Sequence, residues 1–423
     1  MQRNPLKVHT PSSYSNLTTH YSYSPNLLRL TLMTLSFGIL PIHTIHGEDQ
    51  VEQTQMKQTQ IEQIHNALQH LSKPETPNTF TQLKHLPPWQ QGETSTCWSF
   101  ATSSFIESEL LRLKKPSPRL NVDYPLYYNL QKKARFWIHN QGKSHFSPGD
   151  LFTGVFDVIH TQGMVPAEIY GQKRSTSDQL NHHILYRDVK KLITQTKKAN
   201  KNLNEEQLIK ALIPLLDREL GRPPEQFTWQ GKSYTPQSFV HQNITLPWKD
   251  YHVIMSLKDT AFGQWTTLKV PDNWQQKPIF FNVPLTLFYQ AIKQALTRGF
   301  TVAIDADITE PSLKLTHRYA FHPTDNQSIK NEQDYRESLF KNGQTTDDHL
   351  MHIVGYHSAN GHDWFLVKDS LDTSWKTSSN GYVFMHSSYI KFKVLAFLVH
   401  RDGVPSLHKL LDAATPAPFL GKP

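Results

Sequence analysis

The stretch Gln91-Gly-Glu-Thr-Ser-Thr-Cys-Trp-Ser-Phe100, QGETSTCWSF, holds the only cysteine among 423 residues. Small polar residues precede Cys97, and Trp98 and an apolar-periodic run follow it. A structural cysteine normally has apolar neighbours on both sides, whereas this pattern describes a loop running into a helix. CWSFATSSFIESELLRLKK puts Ala101, Phe105 and Leu111 on one side of that helix, with Glu107, Arg112 and the terminal lysines outward. PSPR at 116–119 ends it. A thiol at a helix start lies where unpaired N–H groups and the helix dipole favour an anion.

A nucleophilic thiol needs a base, and a base needs an acceptor that holds its ring. With 23 histidines in the chain, position has to select one. His349 lies in TTDDHLMHIVGYHSANGHDWFLVKDS, where a polar turn enters a β-run. Asp369 closes the next run, WFLVKD, and lies beside His349 if the two runs form a hairpin. A metal site built from Asp347, Asp348, His349 and His352 is the weaker reading, because a strand separates alternate residues.

Around these residues the chain is organised in two halves. LRLTLMTLSFGILPIHTIHG within residues 1–47 has the basic and apolar character of an export signal. Pro41 and His43 interrupt it, which argues against stable membrane insertion. The expectation is an exported protein, periplasmic or secreted, with a cytoplasmic location as the alternative. Residues 48–81 form a Gln-rich linker or propeptide-like helix, and the folded body runs over 82–400, followed by a tail at 401–423. Helices are expected at 123–139, at 151–163 and from 284 up to Gly299, and a polar, charge-laced helical insertion at 172–245, broken at Pro214. FTVAIDA, HLMHIVGYHS, DWFLVKDS, GYVFMHSSYI and KVLAFLVH are β-runs. The class is therefore α+β, a helical half followed by a β-rich half, with a site between them.

Charge and composition exclude more than they identify. The formal charge is +8, with 37% hydrophobic and 19% charged residues. The lysines of KKLITQTKKANKNLNEEQ have no interleaved aromatics to stack bases, so no nucleic-acid partner is expected. No Gly-rich phosphate loop precedes a helix, and neither a metal nor an organic cofactor is expected. One cysteine makes no intramolecular disulfide, so the redox compartment is unreadable.

These residues resemble the papain-like cysteine peptidases, most of all the bleomycin hydrolase and aminopeptidase C branch and its bacterial relatives. QGETSTCWSF is similar to the family's block around its nucleophile, HLMHIVGY to its histidine strand, and WFLVKDS with Trp375 and Asn380-Gly381-Tyr382 to the block that follows. YRESLFKNGQTTDDHLMHIVGY, LGRPPEQFTW, KSYTPQSF and FTVAIDADITE resemble the bleomycin hydrolase branch, in the same order over about 82–400. The resemblance implies Cys97 as nucleophile, His349 as base, Asp369 as the orienting residue, Gln91 as an oxyanion-hole donor, and Trp98 and Trp375 as supports. It implies hydrolysis of peptide or protein substrates through a Cys97 thioester, by an endopeptidase or an aminopeptidase, and in that branch a homo-oligomer.

Several positions depart from the pattern. Asp369 replaces an asparagine, Leu371 a shielding tryptophan, Ser95 a frequent glycine, and Thr94 a disulfide cysteine. Leu371 is expected to admit water to the His349–Asp369 pair and lower activity about tenfold. The alternative is a catalytically weakened papain-like protein that binds peptides or proteins.

Overall fold

The computed structural model describes residues 48–144, 146–171, 180–199, 204–323 and 329–414. The signal-like segment at 1–47 lies outside them, as do residues 415–423 of the tail. No helix among the described residues is long and apolar enough to cross a membrane.

The described residues open with α1 (Glu48–His70) and a two-residue strand, β1 (Thr81–Gln82). The helical half follows: α2 (Cys97–Arg112), α3 (Asp123–His139), α4 (Phe152–Thr161), α5 (His183–Ala199) and α6 (Glu205–Leu220). A small hairpin, β2 (Phe227–Trp229) and β3 (Lys232–Tyr234), leads into α7 (Pro236–Asn243). Strands β4 (Tyr251–Met255), β5 (Gln264–Thr266) and β6 (Phe280–Asn282) precede α8 (Leu285–Thr297) and β7 (Val302–Ala306). Then come α9 (Pro311–Thr316), β8 (Tyr319–Ala320), α10 (Glu332–Lys341), β9 (His349–Ala359) and β10 (His362–Lys368). The last elements are α11 (Asp372–Trp375), β11 (Tyr382–His386), α12 (Ser387–Lys393), β12 (Val394–His400) and α13 (His408–Ala413).

The strands build one mixed sheet in the order β5-β6-β4-β12-β7-β9-β10-β11-β8, with β1 added on β9. Side chains alternate between its faces, as the two-residue period of a strand requires. Val253, Met255, Ala303, Leu350, Ala396 and Leu398 face the helical half, where they join a core with Trp98, Phe105, Leu126 and Phe156. Ile254, Ile304, Met351, Phe397 and Val399 face the other way, against α8 and α12. The architecture is the α+β arrangement expected from the sequence, and the sheet carries the β-rich half.

Helix α2 is the central post between the halves, and here the one-sided pattern misleads. Glu107 and Glu109 are 2% and 1% exposed, and Ser99, Thr102, Ser103, Ser104 and Ser108 are buried with them. Glu107 points inward because Leu120 N–H donates to its Oε1 at 2.8 Å. Helix and sheet enclose α2 on every side, and its small hydroxyl residues allow that close approach. Burying Phe105, Ile106 and Leu110 contributes roughly 1.5–3 kcal/mol each.

The insertion also differs in detail. Helix α6 runs through Pro214 without ending there. Leu208, Ile209, Leu212, Leu216 and Leu220 bury one stripe, and an Asn204–Gln207 capping box closes its start. Together these outweigh an interior proline, which costs about 3 kcal/mol. Packing continues past both ends of 82–400. Ile64 and Leu68 bury against Phe80, Trp364 and Phe384, and Leu407 and Leu411 join the core on the face of the sheet turned away from α2.

Candidate active site

The segment before Cys97 is strapped to residues 180–182. Glu93 N–H donates to Leu180 O at 2.7 Å, and His182 N–H donates to Glu93 O at 3.1 Å. Gly92 has φ +63°, and a β-carbon there would lie 2.4 Å from Leu180 O, so only glycine fits. Ser95 also takes a left-handed φ of 51°, turning the chain into α2. The hydroxyls of Thr94 and Thr96 lie 2.6 Å apart. Thr96 O receives the N–H groups of Ser99 and Phe100, leaving those of Cys97 and Trp98 without an acceptor inside the helix. Trp98 anchors this end: it is fully buried, its Nε1–H donates to Pro148 O at 3.1 Å, and its ring packs on Gly154.

Strand β9 supplies the imidazole and the end of β10 the carboxylate. The two strands pair antiparallel, with His352 opposite Lys368. His349 Nε2 donates to Asp369 Oδ1 at 2.7 Å, and both residues are buried. Asp369 Oδ1 also accepts Leu371 N–H at 3.1 Å, while its own N–H donates to Gly381 O at 2.9 Å. Trp375 packs against Gly381, holding that turn. With Nε2 committed to Asp369, Nδ1 is the ring nitrogen left for Cys97. Burial alone pulls the His349 pKa down. The charge of Cys97, the hydrogen bond and charge of Asp369, and a hydrogen bond to Cys97 outweigh it and push the pKa up to about 10. The Cys97 side chain is partly exposed.

Gln91 is positioned by a residue that sequence reasoning missed. Its N–H donates to Ser370 O at 2.8 Å, and the Ser370 hydroxyl donates to its Oε1 at 2.7 Å. The oxygen end of the amide is thereby occupied, and the NH₂ end is the one free to donate. Ser370 follows Asp369 directly, so one loop aligns both side chains. Tyr186 was also missed; its hydroxyl donates to Thr94 O, and burial, with Asp123 and Cys97 adding, drives its phenol far above the usual range. No sequence signal distinguished either residue, because each acts through a tertiary contact.

Residues 144–419 match the model of the Peptidase C1-like family. The chain belongs to that family. The match takes in His349 and Asp369, while Gln91 and Cys97 precede it and reach the pair through α2 and the 91–96 turn. Among solved structures, this Peptidase C1-like chain is similar to PepW from Lactobacillus rhamnosis HN001, with 16% identity, a TM-score of 0.62, and 87% of this chain and 95% of that one covered. Digestive procathepsin L 3 of Tenebrio molitor larval midgut aligns at 15% identity over 78% of this chain and 72% of that one, with a TM-score of 0.33. No curated protein matches. The PepW likeness concerns the fold, which is papain-like.

The expected leak at Leu371 is corrected by the geometry. His349 and Asp369 are only 2% and 5% exposed. Leu371 contributes its N–H to Asp369, and the pair is buried with leucine at that position. Among the described residues, no group of three His, Cys, Asp or Glu side chains is arranged to hold a metal ion.

Proposed function

We propose that this Peptidase C1-like chain is a competent cysteine peptidase whose nucleophile is Cys97. The observation that carries the reading is the buried His349 Nε2–Asp369 Oδ1 contact at 2.7 Å, which presents the other face of a protonated imidazole to Cys97. In the resting state the Cys97 thiolate and the His349 imidazolium form an ion pair. The thiolate attacks the peptide carbonyl carbon, and the carbonyl electrons move onto oxygen. The Cys97 N–H and the Gln91 NH₂ receive that oxyanion. As the C–N bond breaks, His349 gives its proton to the leaving amine, and a thioester remains. Neutral His349 then takes a proton from water, whose oxygen attacks the thioester. The carboxylic acid departs, and the proton on His349 restores the ion pair. Asp369 keeps the ring aligned throughout.

The described part of the C-terminal segment, 401–414, packs against α8 through Leu407 and Leu411. Cys97 packs against the core on the other face of the sheet. Residues 415–423 lie outside the described residues, and the endopeptidase is the reading put to the test below, with the aminopeptidase as its alternative. Export of the chain through residues 1–47 remains part of the proposal and is tested by the N-terminal sequence of the protein recovered from outside the cytoplasm.

The decisive experiment compares wild type with Cys97→Ala. Wild type should cleave an internally quenched, N-acetylated peptide and be labelled once by a peptidyl chloromethyl ketone. The variant should do neither while keeping its circular dichroism spectrum. Undiminished cleavage by Cys97→Ala would sink the assignment, and cleavage of only unblocked peptides would convert it to an aminopeptidase.

A further inference from the structure

Ser95, two residues before Cys97, carries a β-carbon in a left-handed backbone conformation, φ 51°. A side chain there crowds the neighbouring carbonyl, and such a residue persists only where its surroundings hold it. Gly92 takes a left-handed φ in the same turn without that cost. Two other residues show what a hold is made of. Lys114 and Gln141 are left-handed at φ 58° and 55°, just past the ends of α2 and α3. There the following N–H closes back on the helix, Lys115 to Leu110 O at 2.9 Å and Gly142 to Trp137 O at 2.8 Å. Ser95 precedes a helix and has no such closure. It is exposed, and among the described residues no hydrogen bond reaches its backbone or its hydroxyl.

The hold on Ser95 comes from the residues on either side of it. The hydroxyls of Thr94 and Thr96, both buried, meet at 2.6 Å across Ser95, a contact within the turn. The contact from outside is Tyr186, in the first turn of α5, whose hydroxyl donates to Thr94 O. That bond fixes the plane of the peptide joining Thr94 to Ser95, and φ of Ser95 is the rotation that starts from this plane. Tyr186 is itself seated on the strap, its N–H donating to His182 O at 3.0 Å while His182 N–H donates to Glu93 O at 3.1 Å. Residues 181–186 therefore grip the turn at two successive positions, Glu93 through the backbone and Thr94 through the phenol. Burial, with Asp123 and Cys97 adding, holds that phenol far above its usual range, so the proton given to Thr94 O stays in place at neutral pH.

We propose that Tyr186 is a positioning residue for the nucleophile: its hydroxyl, bound to Thr94 O, holds Ser95 in the left-handed conformation that delivers Cys97 to the start of α2. The phenol acts through the turn and not on the substrate, and the inference rests on the peptidase reading above. Without the hydroxyl the peptide before Ser95 is free to rotate, and Ser95 relaxes toward negative φ. The Cys97 thiol and the Cys97 N–H, which have to meet one carbonyl group, then lose their common aim.

The test is a cycle of four full-length proteins: wild type, Tyr186→Phe, Ser95→Gly and the double variant. Phenylalanine keeps the ring and removes only the donor. On the peptide that the wild type cleaves, Tyr186→Phe should lower kcat about tenfold and leave KM within about twofold. Glycine takes a left-handed φ without steric cost, so in the Ser95→Gly background the same substitution should cost less than about threefold. Equal losses in the two backgrounds overturn the proposal, and so does a Tyr186→Phe enzyme with wild-type kcat or with a loss confined to KM. If Tyr186→Phe does not fold, the double variant should; failure of both overturns the hold on Ser95. Urea midpoints separate this inference from the peptidase reading, because they need no turnover. Tyr186→Phe should lower the midpoint further in the parent than in the Ser95→Gly background. Equal shifts overturn the proposal whether or not the wild type cleaves anything.

Discussion

Gln91 and Ser370, 279 positions apart, are joined by two hydrogen bonds: Gln91 N–H to Ser370 O at 2.8 Å and the Ser370 hydroxyl to Gln91 Oε1 at 2.7 Å. The pair ties the turn before Cys97 to the loop that carries Asp369. Ser370→Ala removes the hydroxyl and leaves a buried amide oxygen without its donor, which costs about 1–3 kcal/mol of stability. The NH₂ end loses its fixed aim, so kcat should fall about tenfold with KM little changed, because the oxyanion exists only past the ground state. Gln91→Ala should lose about 10²–10³ in kcat. The double variant should be no slower than Gln91→Ala alone, since Ser370 acts through Gln91. Additive losses would give Ser370 another role.

On the proposed mechanism the His349 proton sets the alkaline limit of activity. Folding raises this group from 6.5 to about 10, so its contribution to stability is fully present below about 6.5 and is lost as pH rises through about 10. Activity should fall in the same alkaline range, where the ring has no proton for the leaving amine. Asp369→Asn keeps an acceptor for Nε2–H but removes a negative charge, so the alkaline limb of kcat/KM should move to lower pH. Its neutral-pH kcat should stay within about threefold of wild type, under about 1 kcal/mol of barrier. Asp369→Ala should lose far more. If Asp369→Asn and Asp369→Ala both leave kcat and the limb unmoved, Asp369 does not orient His349.

Much of this arrangement was legible in the chain, and the misreadings share a cause. Cys97, His349 and Asp369 announce themselves through local pattern: a polar turn entering a helix, a polar turn entering a strand, and two β-runs short enough to form a hairpin. Glu107 was misplaced because periodicity sees one face of a helix, whereas α2 is enclosed on all of them. Pro214 suggested a break because a proline rule is local, while the leucine stripe that overrides it is tertiary. Ser370 and Tyr186 carried no signal. Each matters only because a residue far off in sequence, 279 positions away for Ser370 and 92 for Tyr186, is brought against it.

The inward-facing Glu107 makes a testable charge pair. Lys368 Nζ donates to Ser104 Oγ at 2.7 Å, and Ser104 Oγ lies 2.8 Å from His352 Nδ1. Burial pulls Lys368 down to about 8 against the attraction of Glu107, and burial raises Glu107, whose Oε2 has no partner. Lys368→Met removes the larger of the two charges, Lys368 and then Arg119, that favour the Glu107 carboxylate, and should lower stability in urea unfolding. Glu107→Gln combined with Lys368→Met should recover most of the loss. Because the folded lysine is depressed, its penalty is fully present below about 8 and fades as pH rises toward 10.5. Wild type should therefore gain stability over that window by a term that Lys368→Met lacks. A double variant as unstable as Lys368→Met would show that the two charges are not coupled.

The turn at Gly92 provides the sharpest separation of strain from chemistry. Gly92→Ala meets two penalties: a left-handed φ of +63° and a β-carbon 2.4 Å from Leu180 O and 2.9 Å from Leu180 N. Gly361, in the β9–β10 turn at φ +79°, has nothing within 4 Å of the same β-carbon. Gly361→Ala should therefore cost about 1 kcal/mol, the conformational strain alone, and leave kcat unchanged. Gly92→Ala should cost at least about 2 kcal/mol, because backbone cannot rotate aside as a side chain does. Relief has to come from the strap itself, by lengthening the Glu93–Leu180 and His182–Glu93 hydrogen bonds. That displaces Gln91 on one side and Cys97 on the other, so kcat should drop about tenfold or more in the protein that still folds. Equal effects of the two substitutions on stability and on kcat would mean that the strap to residues 180–182 does not position the nucleophile.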